Sequence, residues 1–544
     1  MDALGVKLAH LSQMTNAEFE LAEQFALHTR RHCFVTGKAG TGKTTLLKRI
    51  VEQTHKNVVV VAPTGVAAIN AGGVTIHSMF GLPLTCFTPN DDPVDLNVAT
   101  NRRGMREHLH FREEKLRVLR EMDLLIVDEV SMVRCDTLDA IDFVLRTVRG
   151  SAQPFGGVQV LLFGDMHQLP PVAKEAQWSI LRAWYRSPYF FDSMVWPQLH
   201  AAEIELQTIY RQSDARFLAL LNHIRHRQMG ADDFERLRER YDPNFAATAA
   251  GYVLLATHNH KADSVNAAEL EKLPGRLVAF EAQIEGEFPA PLFPCDATLH
   301  LKVGAQVMFI RNDSAEGRYY NGKLAVVKSI DDANITVTFN DSAEDYALHR
   351  EVWENVGYSV EAESGSVVKR ELGSFSQFPL RLAWAITIHK SQGLTFDRII
   401  VDAGRSFAAG QVYVALSRCR SLEGIVLSSL ITPNALHGDR RIGEFSVSHH
   451  SASELRDALP REKALYANHL LLRLFTFTGL SAHMQEWQGL IARLKSPDQE
   501  AAAALCAHIA AQQREICVTA DKFERQLQRL TYMEIGRASC RERV

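Results

Sequence analysis

No stretch of this chain approaches the ~20 consecutive apolar residues that a membrane-spanning helix needs. The first residues, 1–18, lack a basic segment followed by an apolar core, so no secretion signal is expected. The eight cysteines are scattered and no two form a Cys-x-x-Cys pair. They read as reduced thiols in a cytoplasmic protein, not as a disulfide frame or a zinc site. A basic excess is missing too, since the formal net charge is -4. Nucleic-acid binders often carry such an excess, so bulk charge lends no support to that role. Any groups that hold a polyanion must be gathered in a groove. No internal repeat of fixed short period is found.

What is present is a chain of ordinary globular composition, 46% hydrophobic and 23% charged. Its 544 residues are too many for one core, and at ~150 residues per domain about three to four domains are expected. Residues 17–31 read as a helix leading into a strand at 32–36. Short apolar runs follow at 57–62, 124–127 and 158–163, each ending in small, polar or acidic residues. Buried parallel strands with functional loops at their carboxyl ends look like this. The fold class is therefore α/β, doubly wound. Residues 81–120 interrupt the pattern, turning basic at Arg102, Arg103, Arg106, Arg112, Lys115 and Arg117, and read as an inserted subdomain. A second α/β set is expected from about Ala202, with a strand at 252–256. Between 300 and 380 short alternating strands suggest a small β-barrel insertion. The α/β pattern returns at 382–388 and 398–402, and from about Ser451 the chain looks helical without a readable motif.

The segment Gly37-Lys38-Ala39-Gly40-Thr41-Gly42-Lys43-Thr44-Thr45 follows a strand and opens a helix. That is the context a phosphate-binding loop requires. Its glycines let backbone N–H groups turn inward on phosphates, Lys43 would reach the β- and γ-phosphates, and the Thr44 hydroxyl would bind Mg²⁺. The run 124–127 ends in Asp128-Glu129. Asp128 would hold Mg²⁺ and Glu129 would orient and deprotonate the attacking water. Gln168, after the strand at 158–163, has the reach and neutrality to sense a γ-phosphate. Arg211 and Arg418 are candidates to stabilise charge on the transferring phosphoryl group. The last three are promoted only by their contexts, since Gln168 alone reads as part of a Pro-ended turn and a lone Arg as a surface residue.

The set resembles the Pif-one/RecD-like group of superfamily-1B helicases. The matching segments include residues 37–45, 62–68, 73–78, Asp128-Glu129-Val130-Ser131-Met132, Pro154-Phe155-Gly156-Gly157, 164–171, Tyr210-Arg211-Gln212, 383–393 and 411–418, in the family's order. The resemblance implies a P-loop NTPase with two RecA-like domains and ATP in the cleft between them. The first domain is expected at 1–200 with a wedge at 81–120, the second at 201–430 with an SH3-like barrel at 300–380, then a linker and helical region at 431–533. Arg211 and Arg418 would reach across to ATP, while Gln392 and Gly393 would couple nucleotide state to the DNA grip. Pro63, Thr64, His77, Ser78 and Phe80 would line the strand groove of the first domain, and Thr387, His389 and Lys390 that of the second. Hydroxyls, imidazoles and amides can hold phosphates without reading sequence. Taken alone, His77 reads as a satisfied core histidine and Phe80 as a core aromatic. One departure concerns the adenine-reading glutamine usual in such chains, which is absent from 14–19; Gln13 or Gln24 could replace it.

The function so implied is an ATP- and Mg²⁺-dependent helicase moving 5'→3' on single-stranded DNA and opening duplex junctions. A monomer on DNA is the expected working form, cytoplasmic or nucleoid-associated, serving repair, recombination or replication. RNA or RNA–DNA hybrid is an alternative track. A nucleotide-switched binding protein that does not unwind is an alternative of another class. The end of the chain breaks from the helical texture before it: codons for Ile535 to Val544 spell a common sequencing-adapter string. Residues 534–544 are therefore expected to be non-native, with the native chain running past about Met533 into a further helical domain.

Overall fold

The computed structural model describes residues 16–541, except 211, 213, 227, 247–250, 314–316, 332–333, 341, 343, 389, 403–409, 432–439, 447–451, 476–477 and 494–497. It divides into two compact units, residues 1–23 with 32–450, and residues 24–31 with 451–544.

The larger unit holds two parallel sheets. The first comprises β1 (Cys33–Gly37), β2 (Val58–Ala62), β3 (Val74–Thr75), β4 (Leu124–Val127), β5 (Gln159–Phe163) and β6 (Ala202–Leu206) in the order β3-β2-β4-β5-β1-β6. Strands β1, β4 and β5 are buried along their whole length, as continuous apolar runs covered on both faces should be. Strand β6 alternates buried and half-buried residues and pairs with β1. Residues 202–206 thus close the first sheet as its edge, where a second α/β set was expected to begin. Their alternating pattern is that of a strand with one face outside the core.

The second sheet contains β7 (Val253–Ala256), with the later strands Ala385–Thr387, Ile399–Val401 and Ile425–Leu427 all parallel to one another. Between them the chain builds a five-stranded antiparallel sheet from Gln306–Phe309, Leu324–Ile330, Ile335–Phe339, Asp345–Leu348 and Leu380–Leu382, in the stretch where a small barrel insertion was expected. A long hairpin, Glu351–Val360 with Val367–Gln377, rises from it. Its Tyr358 hydroxyl accepts a hydrogen bond from Val60 N at 2.9 Å, and Val367 N donates to Asn57 Oδ1 at 2.9 Å. The first-domain insertion pairs Cys86–Thr88 with Ala99–Asn101 and adds helices at Arg102–Glu107 and Glu113–Glu121.

The smaller unit is helical, with helices at Ala452–Arg473, Thr478–Arg493 and Gln499–Arg541. Met484, Ile491, Cys506 and Ala510 form its small core, and Arg31 pairs with Glu462 at 3.1 Å. The last helix runs through most of 534–544, so the change of composition there is not a change of secondary structure. Among the described residues no helix is long and apolar enough to cross a membrane.

Phe80 ends the short helix Ile76–Phe80 and is 0% exposed, packed in the first-domain core. The stacking face expected of it is therefore not offered to a nucleic-acid strand. Phe80→Ala should lower first-domain stability by about 3–5 kcal/mol, read as a downward shift of an unfolding transition in urea. A fully stable variant with weakened single-strand binding would return Phe80 to the groove.

Candidate nucleotide-hydrolysis site

The phosphate loop, the acidic pair and Gln168 gather where the first sheet's strands end. Between β1 and helix α1 (Lys43–Gln53) lies the loop 37–42. Gly42 caps that helix at φ 86°, a left-handed conformation that glycine takes without strain. A β-carbon at Gly37 would lie 2.7 Å from Thr41 Oγ1 and 2.9 Å from Leu206 O, so no side chain fits. Lys43 Nζ donates to Gly37 O at 2.7 Å and Lys38 O at 3.1 Å, curling the loop around its own ammonium. Burial lowers the Lys43 pKa, with Arg225 adding to the effect and Asp165, Glu129 and Asp128 opposing it. Rings of Tyr210 and Phe19 approach the same point, 3.8 Å and 4.0 Å from a β-carbon at Gly42. Tyr210 is 44% exposed, a flat face beside the phosphate loop.

Asp128 and Glu129 leave the end of β4. The backbone turns sharply there, and Glu129 sits at φ 51°, rare for a residue with a β-carbon. Glu129 N donates to Asp128 Oδ1 at 2.9 Å. Burial pushes the Asp128 carboxyl upward, opposed by that amide and by Lys43. Burial also raises Glu129, and the charge of Asp128 adds to it, so that its carboxyl is pushed up to about 7 against the pull of Lys43 and Arg418. A carboxylate with affinity for protons near neutrality is suited to a general base.

The second domain supplies the partners. Gln392 Nε2 donates to Glu129 Oε2 at 2.8 Å and to Gln168 Oε1 at 3.3 Å. Helix α2 (Gln411–Leu416) abuts the Gln168 loop: a β-carbon at its cap Gly410 would lie 2.9 Å from Gln168 O. Arg418, just beyond that helix, is fully buried, donates to Val414 O at 3.0 Å and to Ser417 Oγ at 3.3 Å, and its charge bears on Glu129. Gln212 anchors the same turn through Ser417 O at 3.0 Å and Cys419 O at 3.1 Å.

Lys43, Asp128, Glu129, Gln168, Gln392 and Arg418 thus come to one cleft, as expected from the sequence. Arg211 and His389 lie outside the described residues. Of the groove residues, Thr64 and Ser78 are exposed, Pro63 and His77 half-buried, and Lys390 exposed. Thr64 caps the helix Gly65–Ala71, its hydroxyl accepting from Ala67 N at 3.3 Å. Thr387 is buried and spends its hydroxyl on Lys390 N at 3.3 Å, so it shapes the turn and does not face a strand. Sequence reasoning missed Phe19, Tyr210, Tyr413, Asp165 and Arg225 as site groups. Asp165, Tyr210 and Tyr413 stood inside quoted motifs, but Arg225 carried no signal at all.

Residues 12–229 match the PIF1-like helicase family, and residues 458–544 match a family described as the DNA helicase middle domain. The sequence is 42% identical to Pif1 from Bacteroides sp. in complex with ADP-AlF4, at a TM-score of 0.73, over 80% of this chain and 97% of that one. The chain belongs to the PIF1-like helicase family. The same Bacteroides protein bound to single-stranded DNA matches at a TM-score of 0.56 and 42% identity, over 80% of this chain and 97% of that one. Human ATP-dependent DNA helicase PIF1 is 34% identical over 421 residues, 76% of this chain. The match spans 60% of the human protein's length. The helical C-terminal unit, in which no motif is readable, falls largely within the second match.

For a family member with this cleft, kcat/KM for ATP should rise with pH through about 7 as Glu129 gives up its proton, then level off. The measurement is steady-state turnover from acid to alkaline buffer. A limb near the ordinary carboxylate range, about 4, would contradict the assignment.

Proposed function

We propose that this chain is an ATP-driven DNA helicase that moves 5'→3' on single-stranded DNA and unwinds duplex. The observation that carries the reading is the 2.8 Å contact between Gln392 of the second domain and Glu129 of the first. It ties the hydrolytic carboxylate to the turn that bears Lys390, so the domain spacing and the state of the catalytic base cannot change independently.

The cycle follows from the groups present. ATP enters with its phosphates along 37–44, and Lys43 transfers its donors from Gly37 O and Lys38 O to phosphate oxygens. The base lies against the Tyr210 and Phe19 rings, which provide stacking area without a hydrogen-bond code. Thr44, exposed at the start of α1, and the Asp128 carboxylate suit Mg²⁺, which takes one or two protein oxygens and fills its shell with phosphate and water. When bound, that ion neutralises phosphate charge. Glu129 takes the proton of the attacking water, Gln168 and Gln392 fix its direction, and Arg418 and Arg211 stabilise the charge that spreads over the phosphoryl oxygens. Loss of the γ-phosphate releases the amide of Gln392, and the second domain steps along the strand. Thr64, Ser78 and Lys390 hold phosphates without selecting bases. A strand track of mostly neutral groups is compatible with a net charge of -4.

Duplexes with a 5' single-stranded tail should be unwound and those with only a 3' tail should not, polarity being inferred from the family resemblance. Lys43→Ala should abolish both ATP turnover and unwinding while single-strand binding persists, because Lys43 serves phosphates of the nucleotide alone. Efficient opening of 3'-tailed substrates would refute the polarity. Unwinding by Lys43→Ala would refute the motor.

A further inference from the structure

Arg225 lies near the end of the helix Ala215–His226, whose Phe217, Leu220, Leu221 and Ile224 pack in the second-domain core. Its side chain is 5% exposed and forks between two acids of the first domain. One arm donates to Asp165 Oδ1 at 3.4 Å and the other to Glu205 Oε1 at 3.2 Å. Asp165 is fully buried and gathers more: His167 N at 3.1 Å, Gln168 Nε2 at 3.4 Å and the Tyr413 hydroxyl at 3.5 Å. Gln168 in turn accepts from Gln392, which holds Glu129. An unbroken line of hydrogen bonds therefore runs from Arg225 through Asp165, Gln168 and Gln392 to Glu129.

We propose that Arg225 is a positioning residue for ATP hydrolysis, holding Asp165 and through it the Gln168 amide in register with Gln392 and Glu129. The inference rests on the ATPase reading of the cleft. A carboxylate at this depth keeps its charge only beside a cation. Desolvation works to raise the Asp165 pKa, but Arg225 and then Lys43 outweigh it and leave it below the ordinary value. Without the guanidinium Asp165 would lose its largest counter-charge and a hydrogen-bond donor, and Gln168 would be freer to turn. Among the described residues the Arg225 Nε is also buried without an acceptor. A cross-brace built only for stability would be expected to satisfy that donor. Being planar, the guanidinium spans two carboxylates at once, which an ammonium cannot do.

The test is single-strand-stimulated ATP turnover of the whole protein as wild type, Arg225→Gln, Asp165→Asn, the double variant and Arg225→Lys, with thermal unfolding of each. Arg225→Gln should cut kcat at least about tenfold at saturating DNA while KM for ATP moves less than about threefold. The double variant should be little worse than either single one, because the two groups act as a unit. Arg225→Lys should recover only part of kcat, and it carries the test if Arg225→Gln does not fold. Turnover of Arg225→Gln within about twofold of wild type, independent multiplying losses in the double variant, or wild-type kcat in Arg225→Lys would each overturn the proposal. A wild type without DNA-stimulated turnover would overturn the ATPase reading itself.

Discussion

A carboxylate drawn out of water at the end of a buried strand needs a hydrogen-bond donor, and Glu129 receives its nearest side-chain donor from another domain. The sharp turn after β4 leaves Glu129 in a left-handed backbone conformation and aims its side chain into the cleft. Burial and the adjacent Asp128 raise its proton affinity, and Gln392 supplies the amide that steadies it. The rest of the larger unit serves this meeting. Parallel strands bring the phosphate loop, the acidic pair and Gln168 to one sheet edge, while the second sheet carries Gln392 and Arg418 to face them.

On the proposed reading, such an arrangement makes hydrolysis conditional. Each domain alone holds an incomplete site: the first has the base and the lysine, the second the amide and the buried arginine. In the proposed cycle, domain approach completes it and phosphate loss dissolves part of it, so chemical state and spacing would be two readings of one equilibrium. Asp165 stands behind this contact as a second, wholly buried anion that both domains share. Its companions Arg225 and Tyr413 arrive on different helices of the second domain, which fixes an orientation as well as a distance.

What sequence discloses here is what is local. Phosphate loop, acidic pair and strand runs are each specified within a few residues, and the expected bounds of the first-sheet strands at 32–36, 57–62, 124–127 and 158–163 agree with the structure to within a residue. The inserted antiparallel strands were legible from their alternation. Partnerships across the cleft were not: Gln392 and Glu129 are 263 residues apart, Arg225 and Asp165 are 60 apart, and no periodicity links them. Phe80 shows the opposite hazard. Its bland reading as a core aromatic was available from the residue itself, and resemblance overrode it. The second α/β set was expected from about Ala202, yet 202–206 closes the first sheet, because pairing partners are a tertiary fact.

In the proposed cycle the coupling of strand grip to hydrolysis runs through the Gln392 amide, and its removal tests that proposal most directly. The measurement is ATP turnover of Gln392→Ala with and without single-stranded DNA, beside wild type. If the amide carries the coupling, DNA should no longer accelerate the variant, while DNA binding persists. Acceleration of the variant by DNA to the same degree as wild type would contradict it.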